Sequence, residues 1–404
     1  MRVVIDARPA LGPRGTGIPH YVRRMVRHLP AADPATDFVA WYLDVRGVFR
    51  GRRRFAALEL SNLTEKASRI PSRLFQPLSW RLGVPRVEWL TGEFDLLLGT
   101  NFLPPRTGRP DRGIPVVHDL AFLRIPESAP QFDAGWQRRL ARSVEAAPAV
   151  IVPSASARAD LLEWRSLEPE RVHVVHHGVD ADAYAPVPEA GIDAVRRKFG
   201  IEGRYVLFVG GIEPRKNLPR LIAAFGQLGT AASLVIAGGP VAWLPKAVEQ
   251  VEEAVAALPE GMRRRIVRTG YVSERDKVAL LSGATVLAYP SRYEGFGFPV
   301  LEAFAAGVPV VTADVAALPE VAGDVAVLVD PEDTASIAAG MAELLADEDL
   351  RAMLSASGVA RAARFTWERT AQRTVEVLHG AAGGAGGPGV GGPDAGGPGV
   401  GAPG

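Results

Sequence analysis

Glu294 and Glu302 stand eight residues apart, with Gly295, Gly297 and Pro299 between them. That spacing predicts Glu294 in a loop and Glu302 in the first turn of a helix opened by Pro299. Two carboxylates so placed can accept hydrogen bonds from different hydroxyl groups of one sugar nucleotide. The N–H groups of Gly295, Phe296 and Gly297 can cradle its phosphates. A surface carboxylate followed by one beside a helix N-terminus is the plainer reading, and the residues alone leave both open.

Three further groups have the types and placing for chemistry. Arg215 and Lys216 directly precede Asn217, a candidate N-cap, with Pro219 in the following turn. Two cations at a helix N-terminus oppose the helix dipole unless an anion sits there too. Gly210 and Gly211, just before them, let backbone approach such an anion. Gly15 and Gly17 can do the same ahead of a helical pattern from Ile18, although a simple tight turn is the plainer reading. His118 ends an apolar run, where an imidazole can donate to a sugar hydroxyl or a leaving group. A lone histidine is also commonly structural.

Each group follows a run of strand character. Strands are predicted at Arg2–Asp6, Asp37–Leu43, Phe94–Leu98, Ile114–His118, Ala149–Val152 and Arg171–His176. A second series falls at Tyr205–Val209, Ser233–Ala237, Arg265–Arg268, Thr285–Tyr289, Pro309–Thr312 and Val325–Val329. Helical patterns lie between many of them, among them Ile18–Leu29, Gln131–Ala146, Ser154–Trp164 and Thr334–Ala346. This alternation predicts an α/β chain of two doubly wound parallel-sheet domains facing each other. Ligands of such sheets bind outside the carboxyl ends of the strands, where these residues fall.

Composition narrows the field. The chain has 404 residues, 46 Lys+Arg against 45 Asp+Glu, and no cysteine. That excludes disulfide scaffolds, thiolate metal sites and cysteine nucleophiles, and gives no global field for nucleic acid. No apolar run is long enough to span a membrane, and the strand pattern straight after Met1 does not read as a signal peptide.

Taken together, the loops resemble the family-four retaining glycosyltransferases of GT-B fold, two Rossmann-like domains facing across a cleft. The resemblance is carried by EGFGFPVLE at Glu294–Glu302, GTG at Gly15–Gly17, HDL at His118–Leu120, HHGVD at His176–Asp180 and GGIEPRKN at Gly210–Asn217. The HDLAF variant is similar to bacterial mannosyltransferases of surface-polysaccharide and glycolipid pathways. The resemblance implies that Arg215 and Lys216 bind a donor diphosphate, that Glu302 binds the ribose, and that Glu294 with Gly295–Gly297 holds the donor sugar. His118 would lie near the reacting side of that sugar. Gly15 and Gly17 would close over the phosphates, and Thr269, Gly270, Tyr271 and Val272 would flank the base.

The implied partners are a nucleotide sugar, GDP-mannose first, and a saccharide or lipid-linked acceptor. UDP- and dTDP-sugars stay open as donors, and a natural-product aglycone as acceptor. So does a catalytically silent binding protein. No cofactor or essential metal is expected, although Asp180-Ala181-Asp182 matches a metal–diphosphate motif of another transferase fold. The implied domains are 1–182 for acceptor, 183–365 for donor, a helix 366–379 crossing back, and a Gly/Pro-rich tail 380–404, read as disordered. The basic run Arg46–Arg54 and the Arg/aromatic stretch Ile70–Leu90 read either as a membrane or anion patch or as a solvated loop and helix. A cytoplasmic enzyme, peripheral at the inner membrane face, is the expectation.

Overall fold

The computed structural model describes residues 1–12, 17–45, 55, 58–71, 74–75, 78–79, 82–185 and 187–383. Gly15, Arg46–Arg54, Trp80 and the tail from residue 384 lie outside the described residues.

The first sheet holds β1 (Arg2–Asp6), β2 (Asp37–Leu43), β3 (Leu63–Ser68), β4 (Leu96–Gly99) and β5 (Gly113–Pro115), in the order β3-β2-β1-β4-β5. All pairings are parallel. Beyond β5, Val116 bridges to Ile151 in β6 (Val150–Val152), which pairs with β7 (Val172–Val174). The second sheet runs β10-β9-β8-β11-β12-β13, again parallel throughout. Its strands are β8 (Tyr205–Val209), β9 (Ser233–Ala237), β10 (Ile266–Gly270), β11 (Val286–Tyr289), β12 (Val310–Ala313) and β13 (Val327–Val329). Both sheets therefore have the doubly wound order, whose switch points lie between β1 and β4 and between β8 and β11.

The runs behave as covered parallel strands: Tyr205, Val206, Leu207 and Phe208 are buried on both faces. β3 is not among the predicted strands. Its residues, LTEKAS, are mostly polar, and Thr64 and Lys66 are exposed at alternate positions, because it is an edge strand with one face in water. The run ending at His118 is shorter than expected: β5 stops at Pro115, and Val117 donates to Ile151 O at 2.9 Å as the chain turns towards β6.

Around the expected boundary, Val179 and Tyr184 pack into the second domain's core. The chain there forms a short turn at Ala181–Tyr184 and a helix at Glu189–Phe199. The last helix, Trp367–Gly383, extends past the expected end at 379. It crosses back to the first domain, where Trp367, Ala371, Val377 and Leu378 pack with Val22, Met25, Val26 and Leu29. The two chain crossings run side by side. Val179 N donates to Phe365 O at 2.9 Å, and a Cβ on Gly178 would stand 2.4 Å from Trp367 N. Only glycine allows that approach.

Candidate active site

The carboxyl ends of β8 and β11 meet at the second sheet's switch point. The loop after β8 makes one 3-10 turn, Pro214–Lys216, and Asn217 follows at φ 60°. Asn217 does precede the helix Leu218–Gly226, but its side chain does not cap it. Its Nδ2 donates instead to Pro290 O at 3.0 Å and Pro331 O at 2.7 Å, which ties the loops after β8, β11 and β13 together.

That tie sets Arg215 and Lys216 against Glu294. Arg215 Nη1 donates to Glu294 Oε2 and Lys216 Nζ to Oε1, both at 2.6 Å. Oε1 also accepts from Tyr289 OH at 2.8 Å and lies 2.7 Å from Ser291 Oγ. Arg215 Nε pairs with Glu213 at 2.9 Å. Burial alone would raise the Glu294 carboxyl. Arg215 and then Lys216 outweigh it and hold the group at about 2. Burial and Arg215 push Lys216 below its usual value, while Glu294 opposes them. A buried carboxylate thus holds two cations at the strand ends.

Glu302 stands apart from this cluster. The helix is Phe298–Ala305, so Glu302 is its fifth residue and not in its first turn. It accepts from Lys277 Nζ at 2.8 Å, and after burial its charge helps raise the pKa of Tyr184. Burial works against the Lys277 charge, but Glu302 and Glu274 raise its pKa.

His118 has both ring nitrogens engaged inside the first domain. Nε2 donates to Thr100 O at 2.8 Å, so Nδ1 is an acceptor and faces His177 Nε2 at 3.4 Å. Burial lowers the pKa of both rings, keeping them neutral. What His118 presents to the second domain is its backbone: a Cβ on Gly295 would fall 1.9 Å from His118 O. Ser154 Oγ donates to Gly295 O at 2.8 Å, and Arg215 N donates to Ser128 Oγ at 2.9 Å. Leu120 N donates to Tyr293 OH at 3.1 Å, which in turn donates to Asp160 at 2.7 Å. The two domains therefore close directly around the Glu294 loop.

Of the remaining expected residues, Gly297 has φ 119° and directly precedes the helix, and Gly17 packs near Phe298. The Phe296 side chain is buried against His177 and Phe365, leaving its backbone as the part a ligand can meet. Gly210 N donates to Ala237 O, and Gly211 lies near Val241 and Glu213. Thr269 and Gly270 are the last residues of β10 and not of the loop after it; Thr269 Oγ1 donates to Gly270 O at 2.9 Å, Tyr271 is 72% exposed with its hydroxyl on Pro240 O, and Val272 packs on the core. Glu213, Tyr289, Ser291, Lys277, Tyr184, Ser128 and His177 join the site without having been expected there. Tyr289 and Ser291 carry a signal, because they end or directly follow β11. Lys277 is one of few lysines in the chain. Asp180 of the D-x-D stretch faces Arg24 and His20. Among the described residues no group of three or more acidic or histidine side chains is arranged to hold a metal.

Residues 15–183 match the family described as Glycosyltransferase Family 4, and residues 192–361 match Glycosyl transferases group 1. The D-inositol 3-phosphate glycosyltransferase of Thermobispora bispora is 30% identical over 397 residues, 93% of this chain and 88% of that protein. The chain is a family-four glycosyltransferase. This transferase is also 28% identical over 393 residues to O-antigen chain mannosyltransferase B of Escherichia coli, covering 93% of this chain and 98% of that one. Its fold matches the crystal structure of Anabaena HepE with a TM-score of 0.72 at 17% identity, over 94% of this chain and all of HepE. The GT-B architecture expected from the loops is the one observed.

Proposed function

We propose that this glycosyltransferase moves a hexosyl group from a nucleotide sugar to a saccharide or lipid-linked acceptor, with retention and without an essential metal. The observation that carries the reading is the Arg215–Lys216–Glu294 cluster at the switch point between β8 and β11. A departing nucleoside diphosphate gains negative charge as the glycosidic bond breaks. Fixed cations in a water-poor crevice stabilise that charge with little reorganisation. Arg215 and Lys216 supply it, and the incoming diphosphate competes for them with the Glu294 carboxylate. Glu294 is then released to accept from the sugar's hydroxyls. Lys277-held Glu302 serves the ribose, and the exposed Tyr271 loop flanks the base. His118 borders the sugar through its backbone. In a same-face attack the diphosphate itself takes the acceptor's proton.

GDP-mannose is the first donor, since mannosyltransferase B of Escherichia coli aligns along nearly the whole chain. A UDP-sugar is the second reading, since HepE was crystallised with UDP and glucose. A lipid-linked acceptor draws support from Leu74, Leu78, Leu82 and Trp89, which expose apolar surface in one stretch of the first domain. No helix among the described residues is long and apolar enough to cross a membrane.

Arg215→Ala or Lys216→Ala should lower turnover by roughly 10²–10³, and dialysis against EDTA should leave it unchanged. Near-normal turnover in both variants would remove the cluster from catalysis. A thermal-shift panel of GDP, UDP and dTDP identifies the donor, because the cognate nucleotide stabilises by mass action.

A further inference from the structure

A cavity of about 850 Å³ opens on the other side of the loop that carries Arg215 and Lys216. Pro214 and Asn217 line it, while the two cations between them turn to Glu294. Arg292 lines it too, and Arg292 N donates to Arg215 O at 2.8 Å. The cavity and the Glu294 cluster thus share one backbone wall. Glu127 closes it from the first domain, 3.4 Å from Arg292. Its size and its place at a domain junction are those of small-molecule sites.

Two features of the lining select a ligand class. Trp243 lies on the rim, 59% exposed, with neighbouring Leu244 buried as an anchor. An exposed indole offers a flat face of negative quadrupole, which attracts weakly positive C–H groups. The charged groups balance: Arg220, Lys246 and Arg292 against Glu127, Glu253 and Glu332. Glu332 is shared by Arg220 at 2.8 Å and Arg292 at 2.7 Å. A balanced lining has no net pull on a phosphate. It offers many donors and acceptors to a neutral polyhydroxyl ligand whose ring carbons present C–H faces.

We propose that this cavity is a second saccharide site, which holds a neutral oligosaccharide on Trp243 as the part of the acceptor remote from its reacting end. The assignment to the acceptor rests on the proposed nucleotide-sugar reaction; binding itself does not.

The test is saturation-transfer NMR on the full chain with mannotetraose and maltotetraose, for wild type, Trp243→Ala and Trp243→Phe. Nucleoside diphosphate binding is followed in parallel. Wild type should bind at least one tetrasaccharide. Trp243→Ala should weaken it roughly tenfold or more, Trp243→Phe should restore part of the loss, and nucleotide affinity should not change. Absence of tetrasaccharide binding, or equal binding by wild type and Trp243→Ala, overturns the proposal. Trp243-dependent saccharide binding with no nucleotide binding in any variant would sink the nucleotide-sugar reading and leave the site standing.

Discussion

The His177 ring lies flat against Phe298, with centroids 5.3 Å apart and planes 6° from parallel. His177 belongs to the first domain and touches His118. Phe298 is the first residue of the helix that follows the Glu294 loop. The stack therefore registers the donor-side loop against the HDL turn. His177→Phe keeps the stack and loses the bond to His118; His177→Ala loses both. We expect His177→Ala to cost about 1–3 kcal/mol and to raise the donor KM, with His177→Phe recovering most of the KM. Small-angle scattering should show His177→Ala more open than wild type. A donor KM in His177→Ala equal to wild type would mean that the stack does not set the domain register.

Gly295 gives a sharper steric test. Its backbone does not need a left-handed conformation, so only space is at issue. A Cβ there would meet His118 O at 1.9 Å and the Asp119 Cβ at 2.7 Å. Neither is the far end of a flexible side chain, so Gly295→Ala must push the domains apart. A displacement of this kind should lower turnover by roughly 10²-fold, while each domain keeps its own core and the far-ultraviolet spectrum stays unchanged. Full activity in Gly295→Ala would mean that the working enzyme does not close as tightly as the structure shows.

Much of this site is legible in the amino-acid sequence. Arg215, Lys216, Glu294 and the glycines around them can be found because strand ends in a doubly wound sheet are where ligands bind, and near-continuous apolar strands are easy to place. What stays hidden is pairing over long sequence distances. Lys277 on Glu302, Ser128 on Arg215 and His177 on His118 are set by packing between elements, and no local spacing encodes them. The direction of the His118 ring is hidden for the same reason: the run ending there marks the strand end but not the Thr100 carbonyl that captures Nε2. β3 escapes because an edge strand needs apolar residues on one face only.

Glu294 couples the site to pH. Its carboxyl is held at about 2 against an ordinary 4.5. A depressed acid contributes stability that is present above the unfolded value and is lost as pH falls from about 4.5 through about 2. The contribution is on the order of 3 kcal/mol. Wild type should therefore lose thermal stability across that acid window, and Glu294→Gln should show a flatter profile. At neutral pH the amide takes the paired carboxylate from Lys216 and leaves Arg215 with Glu213 alone, which is expected to cost about 3–5 kcal/mol. The same variant should bind nucleoside diphosphate more tightly than wild type, because the phosphates no longer compete with the Glu294 carboxylate. Weaker nucleotide binding by Glu294→Gln would show that the carboxylate positions the cations for the ligand instead of competing with it.

Glu320 offers a way to open the cleft without touching the cluster. From the second domain it reaches His176 Nε2 at 2.6 Å. It also accepts from Ala155 N at 2.8 Å, at the start of the helix Ala155–Trp164. A carboxylate at a helix N-terminus is favoured by the free N–H groups and the dipole, and burial works against the charge while these partners lower the pKa. Glu320→Gln keeps the size and loses the charge. Each domain's interior is untouched, so the change in unfolding stability should stay near about 1 kcal/mol. The closed arrangement should lose more than the open one, since both partners belong to the other domain. The expected result is a raised donor KM with kcat little changed, and a sensitivity to salt smaller than that of wild type. A variant that loses kcat at unchanged KM would place Glu320 in the chemistry and not in the closure.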